Sequence, residues 1–115
     1  MDEGHLEDNL IGVFATRVLS KEEIMLETRG DLVLEQIDEF QEQLNALMDR
    51  DYQIISLDFA EVETLNSLGI GKMLLFRRIL STKGKRVRIR GCSEKLYRLF
   101  QTMNLEKLID IVPPS

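Results

Sequence analysis

Histidine, cysteine, proline and tryptophan are scarce in this 115-residue chain, which holds one His, one Cys, two Pro and no Trp. With Cys92 alone, neither an intramolecular disulfide nor a cysteine-rich zinc site can form. His5 sits in a polar N-terminal stretch, so a histidine metal cluster and a Ser-His-Asp triad both lack their parts. There is no run of about 18 apolar residues, the length a membrane-spanning helix needs. The start MDEGHLEDN is acidic, the reverse of a secretory signal. These absences lead us to expect a protein of a reducing cytoplasm, with no metal and no cofactor. What is present is ordinary for a folded domain: 43% hydrophobic and 30% charged residues. A chain of this size makes one domain and buries about two-thirds of its unfolded surface.

The net charge of -5 is unevenly spread. Acids crowd the first 50 residues, among them Glu22, Glu23, Glu27, Asp31, Glu35, Asp38, Glu39, Glu42 and Asp49. Bases crowd residues 72–98, from Lys72, Arg77 and Arg78 through Lys83, Lys85, Arg86, Arg88 and Arg90 to Lys95 and Arg98. Phe76 and Tyr97 within that basic block and Phe100 just after it are the aromatics available, and they fall at helical spacing, so nucleic acid is not expected. A surface that is solvated, or paired within the chain opposite an acidic helix, accounts for the block.

Hydrophobic periodicity predicts alternating strands and helices. Residues 1–10 read as a flexible lead-in and 11–115 as the domain. Strand-like runs occupy 11–18 and 23–29, with Ile24, Leu26 and Thr28 on one side of the second. Leu34, Ile37, Phe40, Leu44, Leu47 and Met48 recur at helical spacing over about 34–49. Residues 53–59 (QIISLDF) resemble a central strand buried on both faces. A helix over 68–82 follows, ended by a glycine cap at Gly84. Arg86–Arg90 alternates, with Val87 and Ile89 inward and Gly91-Cys92 turning the chain. Ser93 caps a helix over 94–103 whose inward residues are Leu96, Leu99, Phe100 and Met103. Residues 105–112 hold a last short element. The expected fold class is a single α/β domain with a mixed central sheet, helices packed chiefly on one side and the other face partly open to water.

Catalytic parts are thin. Asp38/Glu42 and Glu35/Glu39 lie on the solvated face of a helix. Gly69-Ile70-Gly71-Lys72 is not a phosphate loop, because Met73 follows the lysine and Asn66 stands where the first glycine belongs. Cys92 has no histidine partner and reads as a buried thiol. No catalytic residue is assigned. More informative is Asn66-Ser67-Leu68-Gly69-Ile70-Gly71, between a buried strand and a hydrophobic helix. Each glycine costs about 1 kcal/mol in a helix, so two of them imply close packing or backbone access. Ser67 or Asn66 caps the helix, and a capping role alone would explain either residue.

Leu57-Asp58, Val62 and Thr64-Leu65-Asn66-Ser67-Leu68-Gly69-Ile70-Gly71 together resemble the signature of STAS domains, specifically bacterial anti-sigma factor antagonists. Gly30-Asp31-Leu32 is similar to that family's turn before the first helix. Lys83-Gly84-Lys85 and the segment Ser93–Asn104 followed by Leu105 fall in register with it, so the resemblance covers about residues 22–112. It implies that Ser67 is a phosphorylatable switch. Loops after parallel strands gather at one end of a sheet, so the recognition surface is expected to be made of Gly30, Asp31, Leu32, Val33, Asn66, Ser67, Leu68 and Gly69. The implied partner is an anti-sigma factor, a serine kinase of the histidine-kinase-like ATPase fold, with a PP2C-type phosphatase reversing the modification. Asn66 stands where the family usually has Asp, Leu68 where Ser, Thr or Ala is common, and Val33 where kinase-regulated members often carry an acid. These departures keep a second reading open: an unphosphorylated STAS scaffold in a signalling complex or a lipid-transport assembly.

Overall fold

The computed structural model describes residues 10–11, 14–32 and 35–114. Strands β1 (Leu10–Ile11), β2 (Phe14–Val18) and β3 (Glu23–Thr28) are followed by helix α1 (Glu35–Met48). Then come β4 (Ile54–Phe59), α2 (Ser67–Thr82), β5 (Arg86–Cys92), α3 (Glu94–Thr102), a 3-10 turn at Leu105–Lys107 and β6 (Asp110–Ile111). All six strands form one sheet in sequence order. The pairs β1–β2 and β2–β3 are antiparallel, and β3 through β6 are parallel. Each parallel step crosses over through one helix toward the same edge, so the right-handed rule puts all three helices on one face. The chain therefore has the mixed sheet and one-sided helices expected of it. Leu10, assigned to the lead-in by sequence, is the first residue of β1, and residues 1–9 lie outside the described ones.

The covered face carries the core. Phe14, Ile24, Leu26, Ile55, Leu57, Phe59, Val87 and Ile89 project from it against Ile37, Phe40 and Leu44 of α1 and Ile70, Met73, Phe76 and Leu80 of α2. Phe40 stacks on Phe14 and tilts against Phe59, centroids 6.0 and 6.1 Å apart.

The opposite face is a charged lattice, and here the reading of β4 as buried on both sides needs correction. Ile54 and Asp58 are half-buried on this open face. Ser56 is buried there between Met25 and Arg88 of the flanking strands, beside Glu23. The Ser56 hydroxyl donates to the Glu23 carboxylate. Arg90 donates to both Glu23 oxygens at 2.7 and 2.9 Å, and Arg88 reaches Glu23 at 3.4 Å and Asp110 at 2.9 Å. Arg90, hydrogen-bonded to it, holds Glu23 below the ordinary 4.5 against the opposing pull of burial. The basic strand is thus paired with β3 and β6 across the open face, not with the acidic helix α1 behind the sheet. Lys85 does reach α1, where its ammonium donates to the carbonyls of Met48 and Arg50 at 3.2 and 2.6 Å and satisfies the helix end.

Two local expectations also change. Gly91 and Cys92 belong to β5, with a register shift opposite Leu57/Asp58 that pairs Asp58 with Gly91. Leu99 and Met103, expected inward, are 36% and 43% exposed, and only Leu96 and Phe100 of α3 are buried. Burial, with Asp58 adding to it, pushes the Cys92 thiol up and keeps it protonated.

Candidate functional site

The site sits at the end of the sheet where β3 and β4 finish. After β3 the chain turns at Gly30, whose φ of 137° is a conformation that side-chain-bearing residues rarely adopt. That turn aims Asp31 at the loop after β4. One oxygen of Asp31 accepts from the Glu63 N–H at 2.9 Å and from the Thr64 N–H at 3.0 Å. The donated N–H groups of Thr64 and Glu63 hold the Asp31 carboxyl below its ordinary 3.8. The next residue, Leu32, makes a parallel bridge with Leu65. The other end of the second loop is tied by Asp58, which accepts from the Ala60 N–H at 2.9 Å, and by buried Val62, whose N–H meets the Phe59 carbonyl at 3.0 Å.

Helix α2 starts directly after this loop. Its N-cap is Asn66, with extended backbone and a side-chain oxygen that accepts from the Gly69 N–H at 2.9 Å. Ser67 is the first helical residue and is exposed, and among the described residues its hydroxyl makes no hydrogen bond. The sequence left the cap open between the two residues; the structure assigns it to Asn66 and releases Ser67 from that duty. Asn66 is a side chain that caps well without adding charge. The N–H groups of Ser67 and Leu68 are ones a helix leaves without an internal partner, and the helix dipole adds positive potential there.

The two glycines have different reasons. A Cβ on Gly69 would lie 2.7 Å from Leu65 Cδ1, so any side chain there would make the buried Leu65 side chain shift. A Cβ on Gly71 would meet nothing within 4 Å, so no internal contact explains a glycine at that exposed helical position. Leu68 and Leu75, one turn before and after, are 57% and 50% exposed. A groove between α1 and α2 is lined by Leu44, Met48, Lys72, Leu75, Phe76 and Ile79.

Of the eight residues expected to form a recognition surface, Asp31, Asn66, Ser67 and Leu68 are exposed and Gly30 is half-buried. Leu32 and Gly69 are buried, so they support the surface from beneath and offer no side chain to a partner. Val33 lies outside the described residues. Sequence reading singled out Gly71 but not Leu75, and the structure leaves both exposed beside Leu68. The signal was present in the spacing of Leu68, Gly71 and Leu75, which share one stripe of the helix. Among the described residues no group of three His, Cys, Asp or Glu side chains is placed to hold a metal ion, and no helix is long and apolar enough to cross a membrane.

Comparison with known proteins locates this architecture. The anti-sigma factor antagonist SpoIIAA of Bacillus superposes in its unphosphorylated form with a TM-score of 0.71 at 18% identity, covering 86% of this chain and 87% of that one. Its phosphorylated form gives 0.67 at 17%, covering 86% and 90%. An anti-sigma factor antagonist from Mycobacterium paratuberculosis gives 0.77 at 13%, covering 88% and 85%. At these identities the likeness is one of fold. No curated protein matches the sequence. A family model described as "Mlab, STAS domain" matches residues 15–113, spanning all but the first strand of the sheet, and on that match the chain belongs to the STAS-domain family.

Proposed function

We propose that this protein is a cytoplasmic anti-sigma factor antagonist that binds an anti-sigma factor, a serine kinase of the histidine-kinase-like ATPase fold, through the surface centred on Ser67. Phosphorylation of Ser67 by that kinase ends the complex, and a PP2C-type phosphatase restores it. The protein acts as a binding switch in control of sigma-factor-dependent transcription, not as an enzyme. The observation that carries this reading is the division of labour at the start of α2: Asn66 caps the helix, and the exposed Ser67 hydroxyl has no partner among the described residues.

The switch follows from electrostatics. A phosphoserine adds about -1.5 to -2 charge at neutral pH. At the first helical residue the isolated chain tolerates it, because free N–H groups and the helix dipole favour an anion. A partner that covers Ser67 faces a dianion in place of a small neutral hydroxyl, and uncompensated burial of that charge costs several kcal/mol. Gly71 fits the same surface, since a helix backbone bare of a side chain lets a partner approach closely between the Leu68 and Leu75 side chains.

The test is calorimetry of the purified anti-sigma factor with the unmodified chain, the Ser67-phosphorylated chain and Ser67→Asp. Phosphate should weaken binding at least tenfold, about 1.4 kcal/mol. Equal affinities for all three forms would sink the switch. They would favour the second reading, an unphosphorylated scaffold subunit, which the broad exposure of Leu68 supports because that apolar side chain suits a lasting contact.

A further inference from the structure

The loop that presents Ser67 is held from outside its own strand and helix. It runs from Ala60 to Asn66 and is pinned in three places. Asp58 fixes its first N–H and Val62 is sunk in the core. The third pin comes from the other side of the site, where one Asp31 oxygen gathers the adjacent N–H groups of Glu63 and Thr64 at 2.9 and 3.0 Å. Only Leu65 and Asn66 separate that pin from Ser67. Both are themselves committed, Leu65 to its bridge with Leu32 and Asn66 to the cap of α2.

We propose that Asp31 is the positioning residue of the Ser67 surface, its carboxylate locking the loop before α2 to the turn after β3 so that Ser67 and the first turn of α2 are held in one orientation. Two adjacent N–H groups aimed at one oxygen constrain successive peptide planes more tightly than a single bond does, and a charged acceptor strengthens both. The Gly30 turn is what lets the carboxylate reach them. Without Asp31 the Asp58 and Val62 pins still hold the front of the loop. The freedom gained therefore starts at Glu63 and Thr64 and reaches Ser67 through Leu65, whose bridge to Leu32 follows directly on Asp31. The importance of this lock for recognition rests on the antagonist reading; its effect on the loop does not.

The experiment is amide hydrogen exchange and chemical-shift mapping by NMR on the full chain, comparing wild type, Asp31→Ala and Asp31→Asn. In Asp31→Ala the Glu63 and Thr64 amides should exchange at least tenfold faster and the resonances of Ser67, Leu68 and Gly69 should move, while Ala60 and Val62 keep their protection. Asp31→Asn retains an acceptor oxygen in the same place and should restore protection at Glu63 and Thr64. A general loss of stability would instead accelerate Ala60 and Val62 equally. Unchanged exchange at Glu63 and Thr64 in Asp31→Ala, stationary resonances at Ser67–Gly69, or failure of the asparagine to rescue would overturn the proposal. Because each reading is made on the isolated chain, such a result leaves the antagonist reading standing, and a failed binding titration leaves the lock standing.

Discussion

Helices α2 and α3 each have a serine at their start, one just inside and one just outside, and the two serines do opposite things. Ser93 precedes α3 with extended backbone, and its hydroxyl accepts from the Leu96 N–H at 3.1 Å. Ser67 stands one position further into α2, after Asn66 has taken the same job with the Gly69 N–H at 2.9 Å. A shift of one residue converts a structural hydroxyl into one that makes no hydrogen bond among the described residues. Function at a helix start is therefore read not from the presence of a serine but from whether another side chain has already satisfied the backbone.

That contrast can be broken by substitution, beginning with the largest effects. Asn66→Ala and Ser93→Ala should each destabilise by about 1 kcal/mol, the usual cost of a lost cap, lowering Tm by about 4–8 °C. If Asn66→Ala left the melting temperature unchanged, Asn66 would not be the cap and Ser67 would not be spare. Gly71→Ala should move stability the other way, up by as much as about 1 kcal/mol in urea titration, because alanine favours the helix and its Cβ meets open space. The same variant should bind the anti-sigma factor more weakly, a separation of fold from contact that a packing glycine cannot produce. Ser67→Asp should be neutral or stabilising by about 0.3–1 kcal/mol, given the potential at the helix N-terminus. Ser67→Ala should change stability by less than about 0.5 kcal/mol. A loss near that of Ser93→Ala, seen by calorimetric melting, would make the two serines equivalent.

The smallest effect is a pH dependence. The hydrogen bonds from Thr64 and Glu63 depress Asp31 below 3.8 in the folded chain. A depressed carboxylate contributes stability that is full above its unfolded value, near 4, and is lost as pH falls through the folded value. The stability difference between wild type and Asp31→Asn should therefore favour wild type at neutral pH and close as the solution is acidified below about 4. A difference that stays constant over that range in urea titrations at successive pH values would show that the charge of Asp31 adds nothing to its two hydrogen bonds.

Much of the fold is legible in local pattern. The alternation of Ile24, Leu26 and Thr28, and of Val87 and Ile89, gives strands with one covered face. The spacing of Ile37, Phe40, Leu44 and Leu47 gives α1 its buried stripe. Gly84, at φ 73° just past α2, ends that helix as its position in the sequence foretells. Ser93 is a cap in both readings because everything it needs lies within three residues. The failures occur where cover comes from elsewhere. Leu99 and Met103 have the spacing of core residues, yet both remain 36% or more exposed. Ser56 and Glu23 look like ordinary strand residues, but both are buried in a face where Arg88 and Arg90 reach Glu23 from a strand more than 30 residues away.

The candidate site divides in the same way. By itself the sequence determined the list of elements, the helix start at Asn66-Ser67 and the presence of two glycines that a helix would not choose. It did so because propensity, capping and periodicity depend on neighbours a few bonds apart. Only the tertiary structure decided that Asn66 takes the cap and spares Ser67, that Gly69 lies against Leu65 while Gly71 faces open space, and that Asp31 reaches across to Glu63 and Thr64. Those outcomes turn on which atoms meet when β3 and β4 lie side by side. Residues some 30 positions apart come within hydrogen-bonding distance through parallel pairing and crossover, which no local pattern encodes.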